Sequence, residues 1–323
     1  MASIHEYKEL FELYLKDHLF RSAPRNLYEP VNYILQLDSK RIRPCLMMAI
    51  ADMYDVTLQK VMNPALGIEI FHNFSLVHDD VMDKSVMRRG QPTVDSKYGL
   101  NAAILSGDVM QILACQKVIA VDPDLLHEAI TVYNRTAIEV CEGQQMDMDF
   151  EQETQVSEME YLQMIELKTA VLLACALKLG AIIARASAAD QHHIYEFGRN
   201  IGIAFQIQDD LLDSFGSEAS VGKRIGGDIC NNKKTLLLIK ALQTHHRYDK
   251  EILLNWLQTT EFNQEKVEDV KRIFIDSHAK SYTEQKMKWY YEKAIESLQK
   301  ISCEERKKQV LFDFAELIVT RKT

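Results

Sequence analysis

The 323-residue sequence predicts an all-α protein folded as a single domain over residues 1–323. Three observations carry that prediction. All six prolines lie at or before Pro123, so everything from Asp124 onward lacks the residue that most disfavours helix interiors. Apolar residues recur at helical spacing through the long proline-free stretches. Signals for β-structure are weak: alternating runs are few, and there is no Asn-Gly or Asp-Gly hairpin.

Taken in order, the N-terminal stretch MASIHEYKELFELYLKDHLF is amphipathic and acidic, without the basic start and apolar core of a signal peptide. Lys40, Arg41 and Arg43 precede Pro44 and the apolar run Cys45 to Ile50, the start of a helix whose first N–H groups and positive charge suit an anion. Asn63 and Pro64 are expected to open a helix carrying Leu66, Ile70, Phe74 and Val77. Gly90 and Pro92 mark Arg88-Arg89-Gly90-Gln91-Pro92 as a loop. Tyr161 to Arg185 and His192 to Phe215 are the clearest helices, and Thr260 to Thr323 reads as polar-faced helices closing the bundle. No low-complexity linker or tandem repeat divides the chain.

Composition narrows the function. With 47% hydrophobic and 26% charged residues the chain has the material for a large core. A net charge of −9 argues against a nucleic-acid or anionic-membrane partner, but not against a small anionic substrate held by a few local cations. Six scattered cysteines with no CxxC pair point away from disulfides and zinc, toward a reducing cytoplasm. The most apolar stretch, Ala170 to Ala184, is interrupted by Lys178 and is short for a bilayer span, so a soluble protein without an integral membrane segment is expected.

Two acidic clusters carry the chemistry. Asp79, Asp80 and Asp83 stand in LVHDDVMD; Asp209, Asp210 and Asp213 stand in FQIQDDLLD. Residues four apart share a helix face, so Asp79 points with Asp83, and Asp209 with Asp213. Each cluster follows an apolar stretch, where unpaired carboxylates are costly and repel one another. Hard oxygen donors of this kind suit magnesium, which keeps several waters and bridges to substrate phosphates. One such cluster alone could be a solvated acidic face; two, each with basic residues nearby, are hard to read that way. Neither has the glycine and terminal glutamate of a calcium-binding EF-hand loop. The Arg88-Arg89 pair suits bidentate grip on diphosphate oxygens. After the second cluster, Gly222-Lys223-Arg224-Ile225-Gly226-Gly227-Asp228, with Lys233 and Lys234, is a glycine-rich basic loop able to fold over phosphates, although it is not a Walker A sequence.

From about Leu27 to Thr235 the sequence resembles the trans-isoprenyl diphosphate synthase, or polyprenyl synthetase, family, whose short-chain members make farnesyl or geranylgeranyl diphosphate. Both Asp-rich motifs match, as does Arg88-Arg89-Gly90. Lys40-Arg41-Ile42-Arg43-Pro44 resembles the basic segment that holds isopentenyl diphosphate in the family. His72 matches a family histidine on the same diphosphate, although a histidine on an apolar helix is more often a hydrogen-bonded core residue. Gly143-Gln144-Gln145-Met146-Asp147 resembles a Gly-Gln-x-x-Asp segment beside the allylic site, with Gln144, Asp147 and Glu151 on one face. Lys168-Thr169-Ala170, Gln206, Lys223 and Lys233 match further family positions. Asp38-Ser39 stands where the family usually has two glycines, Thr235 is followed by Leu236-Leu237 rather than an aromatic-proline ending, and Arg321-Lys322 could supplement the isopentenyl site as basic tails do in some members.

The resemblance implies a large isoprenoid-synthase-type bundle in which the two Asp-rich helices face each other across a deep central cavity. It also implies three Mg2+ ions with substrate bound, held by Asp79, Asp83 and Asp209 with Asp80, Asp210 and Asp213 in support. The allylic diphosphate (DMAPP, GPP or FPP) would be bound by Arg88, Lys168, Gln206, Lys223 and Lys233. Isopentenyl diphosphate would be bound by Lys40, Arg43, His72 and Arg89. Lys168, Thr169 and Gln206 would flank the reacting carbons as diphosphate departure generates an allylic cation, the isopentenyl double bond attacks it, and a proton is lost. The released diphosphate can accept that proton, so no side-chain base is assigned. A homodimer is expected from the family alone.

Chain length is expected to depend on Ser75, Phe74 and Phe71, four, five and eight residues before Asp79. At ~1.5 Å per residue the two rings lie roughly 7 and 12 Å down the helix axis, where they would stop a growing chain. Aromatic rings at this spacing are often plain core residues; in the family an aromatic five positions before the motif resembles short-chain members. The first motif also lacks the two-residue insertion of many bacterial farnesyl synthases, which favours a C20 over a C15 product. Two rival readings are a class I terpene cyclase and a non-catalytic partner subunit of a related synthase. The first needs no second diphosphate site, so Lys40, Arg43 and Arg88-Arg89 count against it; the second should have lost metal ligands, and both triplets are intact.

Overall fold

A computed structural model of the chain describes residues 2–216, 225–244, 246–259, 261 and 263–320. The prediction of an all-α fold holds: among the described residues the only strands are β1 (Met87–Arg88) and β2 (Gln91–Pro92), paired antiparallel. The contacts divide the chain into two compact units, each assembled from separate stretches of sequence.

Unit 1 comprises residues 1–137, 172–195 and 300–312. Its first helix, α1 (Ile4–Asp17), opens on a capping box in which the Ser3 hydroxyl accepts from the Glu6 N–H and the Glu6 carboxylate reaches back. Its Tyr7, Phe11 and Leu15 form the buried stripe. Helix α2 (Arg25–Gln36) is followed by α3 (Ile42–Met53), whose residues from Pro44 to Ala51 are all buried, marking it as a core helix. The 24-residue α4 (Gln59–Met82) packs against α3 and against α6 (Leu100–Val118), with the short α5 (Val94–Tyr98) between β2 and α6. Gly67 makes the α4–α6 approach possible, since a Cβ there would fall 2.7 Å from the Ala114 carbonyl oxygen.

Helix α4 begins earlier than its sequence signals. Pro64 lies inside the helix rather than at its opening, because Val61 and Met62 are buried and extend the apolar face N-terminally. The tertiary burial outweighs the backbone hydrogen bond that proline cannot donate. The expected loop at Arg88–Pro92 is a two-residue hairpin. Arg89 and Gly90 both have positive φ (52° and 73°), as the turn twist matching paired strands requires.

Unit 2 comprises residues 138–171, 196–299 and 313–323. It takes the later part of α7 (Leu126–Gln152), α8 (Glu158–Ile165) and the later part of α10 (Ala188–Phe215). The expected helix from Tyr161 to Arg185 is interrupted by a π turn over Glu166–Ala170 before α9 (Val171–Ile183). A short α11 (Gly227–Cys230) precedes α12 (Leu236–Ala241), α13 (Arg247–Trp256), α14 (Gln264–Asp276) and α15 (Ala279–Gln299), with α16 (Glu305–Thr320) closing the described chain. No single helix among the described residues is long and apolar enough to cross a membrane.

Candidate active site

The first carboxylate cluster ends α4. Asp79 and Asp80 lie in its last turn and Asp83 caps it, its N–H donating 2.8 Å to the Asp79 carbonyl. The hairpin directly behind returns Arg88 onto this turn. Its Nε donates 2.8 Å to both oxygens of the buried Asp80, and a terminal nitrogen lies 3.4 Å from Asp79. Burial raises the Asp80 pKa even against this guanidinium. Asp80 and Arg88 therefore hold one another, while Asp79 is partly accessible and Asp83 exposed.

Beside the same helix, arginines from other elements gather around a histidine. His72 sits two turns before Asp79, and its imidazole is pushed well below the usual histidine range by burial and then by Arg43, Arg89, Arg88 and Arg41. It is a neutral donor and acceptor at physiological pH. Arg43, in the first turn of α3, is drawn down to about 10 by burial, with Glu69 opposing and Arg89 adding to the effect. Arg89 donates from the hairpin tip to Asn73 Oδ1 at 3.4 Å. Isolated cations would not gather this way without a counter-charge, and Glu69, 1% exposed, supplies it. Three of the four expected isopentenyl residues, Arg43, His72 and Arg89, thus come together. Lys40 is exposed just ahead of α3.

Arg41, within the same basic run, does something the sequence does not reveal. It is buried in a left-handed conformation (φ 47°) and donates to Glu12 and Glu69, 2.7 Å each, and to the Leu37 carbonyl at 3.3 Å. It also donates to the Leu35 carbonyl. Asn73 completes the network by donating 3.1 Å to Glu69. A basic residue two positions from Arg43 gives no sign in the sequence that it is structural.

The second cluster lies on α10. Gln206 Nε2 and the Tyr161 hydroxyl donate to the two oxygens of Asp210 at 2.9 and 2.7 Å. Burial, then Asp228 and Asp209, push the Asp210 carboxyl up to about 8 against those hydrogen bonds. Asp213 accepts the Asp228 N–H at 2.8 Å, and its carbonyl accepts the Gly226 N–H at 2.7 Å, which ties the following basic segment to the cluster. Tyr161 carries no motif signal and escapes sequence reasoning; Asp228 ends the glycine-rich basic segment, but nothing in the sequence marks its carboxylate as a neighbour of Asp210. Lys223 and Arg321-Lys322 lie outside the described residues.

The π turn carries Lys168 and Thr169. Lys168 pairs with Asp147 at 2.6 Å, joining the expected Gly-Gln-x-x-Asp segment of α7 to it, and Thr169 donates to Gln206 at 3.2 Å. Two glycines let neighbouring helices reach the turn. A Cβ on Gly143 would sit 2.2 Å from the Lys168 nitrogen, and one on Gly202 2.7 Å from the Ala170 Cα. π turns widen a helix locally and are frequent at functional sites. Here the turn lies directly against Gly143 of α7, and its Thr169 reaches Gln206.

The donor set fits magnesium. It is all carboxylate oxygen, and in each triplet one aspartate, Asp80 or Asp210, is fixed by protein donors. Among the described residues no three His, Cys, Asp or Glu side chains converge on a ready-made cage. Magnesium suits that arrangement, because it retains waters and shares phosphate oxygens instead of relying on protein alone. Below Asp79, Phe71 and Phe74 are buried with ring centroids 5.3 Å apart, Phe71 meets Tyr133 edge-on at 5.6 Å, and the Ser75 hydroxyl donates 2.9 Å to the His72 carbonyl.

The polyprenyl synthetase family model matches residues 24–274. The chain is 35% identical over 292 residues to a geranylgeranyl diphosphate synthase of Sulfolobus acidocaldarius, covering 89% of this chain and 88% of that protein. It is 37% identical over 285 residues to that of Saccharolobus solfataricus, covering 87% and 86%. A crystal structure of a geranylgeranyl pyrophosphate synthase superimposes with a TM-score of 0.95 at 41% identity, covering 100% of both chains. The helical fold, the paired carboxylate clusters and these relationships agree, and the chain belongs to the polyprenyl synthetase family of prenyltransferases.

Proposed function

We propose that this protein is a short-chain trans-polyprenyl diphosphate synthase that condenses isopentenyl diphosphate with an allylic diphosphate to make geranylgeranyl diphosphate. The carrying observation is the clustering of Arg43 and Arg89 about His72, with the buried Glu69 as their counter-charge and not the carboxylates of Asp79 and Asp83. A second anion site is what a condensing enzyme needs and a terpene cyclase does not.

In this reading Asp79 and Asp83, and Asp209 of the second cluster, would hold Mg2+, three ions being expected with substrate bound, and the metal would supply electrostatic stabilisation to the departing diphosphate. Lys168, Lys223 and Lys233 bind the same diphosphate, and Arg88 joins them by exchanging part of its hold on Asp80 and Asp79. Lys40, Arg43, His72 and Arg89 hold isopentenyl diphosphate with its double bond toward the allylic carbon. Thr169 and Gln206 offer oxygens to the allylic cation, and the proton lost at the end passes to the released diphosphate. Phe74 and then Phe71 stop the tail, which supports a C20 product. We also infer one functional domain, since neither unit is a continuous stretch of chain. A cytoplasmic homodimer accords with the acidic charge and with Leu105 and Ile112, exposed seven residues apart on α6 (59 and 68%).

The test is incubation with labelled isopentenyl diphosphate, Mg2+ and dimethylallyl, geranyl or farnesyl diphosphate, followed by chromatography. Geranylgeranyl diphosphate is the expected product. Failure to elongate any of the three primers would refute the synthase reading, and a shorter or longer product would refute the chain length alone.

A further inference from the structure

Lys266 is a buried cation with no carboxylate beside it among the described residues. The side chain, 1% exposed on α14, donates to the Cys230 carbonyl at 3.0 Å, Asn232 Oδ1 at 2.7 Å and the Thr259 carbonyl at 2.6 Å. Those three acceptors use all three ammonium protons. Burial lowers its pKa. A plain core position would be filled at less cost by an apolar side chain, so a charged group placed here calls for a reason.

The reason lies in the segment it grips. Asn232 adopts a left-handed conformation (φ 56°) immediately before Lys233, and its amide donates to the Leu257 and Thr259 carbonyls at 3.0 and 3.1 Å. The reversal lets the Lys233 N–H return to the Asp228 carbonyl at 3.0 Å. Upstream, Gly226 (φ 82°) lies so close to Val267 that a Cβ would fall 2.8 Å from a valine methyl. Adjacent residues of α14 therefore hold both ends of the stretch from Gly226 to Asn232. Asp213 of the second carboxylate cluster holds the same stretch through Gly226 and Asp228.

We propose that Lys266 is a positioning residue for diphosphate binding: through Asn232 it fixes the turn that presents Lys233 beside the second carboxylate cluster. The inference rests on the assignment of Lys233 to the allylic diphosphate. Lys266 itself touches no substrate and acts only by removing freedom from the segment that does. Its preorganisation spares the binding step the cost of ordering that turn.

The test compares Lys266→Met, Asn232→Gly and Lys233→Ala in steady-state assays with farnesyl and isopentenyl diphosphates. Asn232→Gly keeps the left-handed backbone accessible while deleting the bridge, so it carries the test if Lys266→Met does not fold. Each variant is expected to raise KM for farnesyl diphosphate about tenfold, the worth of one charge-assisted hydrogen bond, leaving KM for isopentenyl diphosphate unchanged. Lys266→Met combined with Lys233→Ala should be no worse than Lys233→Ala alone. A merely structural lysine would lower the folded fraction, and with it the apparent kcat, at unchanged KM. That result in both Lys266→Met and Asn232→Gly, beside a raised KM in Lys233→Ala, would overturn the positioning role. An unchanged KM in Lys233→Ala would instead remove that lysine from the diphosphate site, and the inference with it.

Discussion

Gly143→Ala is the sharpest test of how Lys168 is aimed. The new methyl would lie 2.2 Å from the Lys168 nitrogen and 2.7 Å from both the Leu167 carbonyl carbon and the Lys168 Cα. All three are backbone atoms, so no side chain can swing aside. Ordinary contact between such atoms needs about 3.5 Å, and α7 and the π turn must separate by roughly 1 Å. Removing a mid-helix glycine returns about 1 kcal/mol of helix propensity, but forced overpacking against backbone costs up to ~3 kcal/mol or more. The net is a loss of about 2 kcal/mol, a fall of ~3 °C in Tm for a chain of this size. A reactive group displaced by 1 Å costs on the order of a hundredfold in rate.

The assay is a thermal melt together with kcat for farnesyl and isopentenyl diphosphates. Gly180→Ala is the control. It creates milder crowding of the same kind, with a Cβ 2.8 Å from the Met47 carbonyl oxygen and 3.1 Å from the Ile50 Cβ, but adjoins no motif. It should lose stability while the folded enzyme keeps its kcat. A Gly143→Ala enzyme whose kcat stays within a factor of about two while it melts at a lower temperature would refute the view that close α7 packing aims Lys168.

Four further outcomes are expected. Phe74→Ala should shift the product beyond C20, read by chromatography; an unchanged distribution would make Phe74 ordinary core. Tyr133→Phe should raise Tm slightly, because the buried Tyr133 hydroxyl, on a side chain 3% exposed, has no hydrogen-bond partner among the described residues and its removal recovers up to about 1 kcal/mol. Glu158, whose burial is outweighed by hydrogen bonds from Lys240, Lys286 and Tyr282, is held at about 2, below its ordinary 4.5. A depressed carboxyl stabilises the fold above its unfolded pKa and loses that contribution as pH falls from 4.5 towards 2. Glu158→Gln should therefore cost up to ~3 kcal/mol at pH 7 and progressively less in acid, measured by denaturant melts across pH. Ile112→Asp, on the exposed apolar face of α6, should shift the proposed homodimer to monomer in light scattering; an unchanged mass would move the interface elsewhere.

What the sequence discloses follows from how each feature is encoded. The carboxylate triplets are local: a spacing of four on a helix fixes which aspartates share a face whatever surrounds them. Phe71 and Phe74 are legible for the same reason, and they do lie against each other on α4. Partnership is not local. Lys40, Arg41 and Arg43 read as one basic run, yet Arg41 is spent on Glu12 and Glu69 from two other helices while Arg43 stays with His72 and Arg89. Only the fold separates them, because the difference lies in residues 29 positions upstream and 28 downstream of Arg41. The π turn is hidden in the same way. Nothing in Glu166-Leu167-Lys168-Thr169-Ala170 disfavours an ordinary helix, and the widening is matched instead by glycines on two other helices, at 143 and 202. The Lys-Thr motif is therefore only half of its own specification. If the glycines are the other half, Gly143→Ala should damage Lys168 function more than a conservative change at Thr169, whose visible tie is one 3.2 Å hydrogen bond to Gln206. A Thr169→Ser enzyme as impaired as Gly143→Ala would place the specification back in the motif itself.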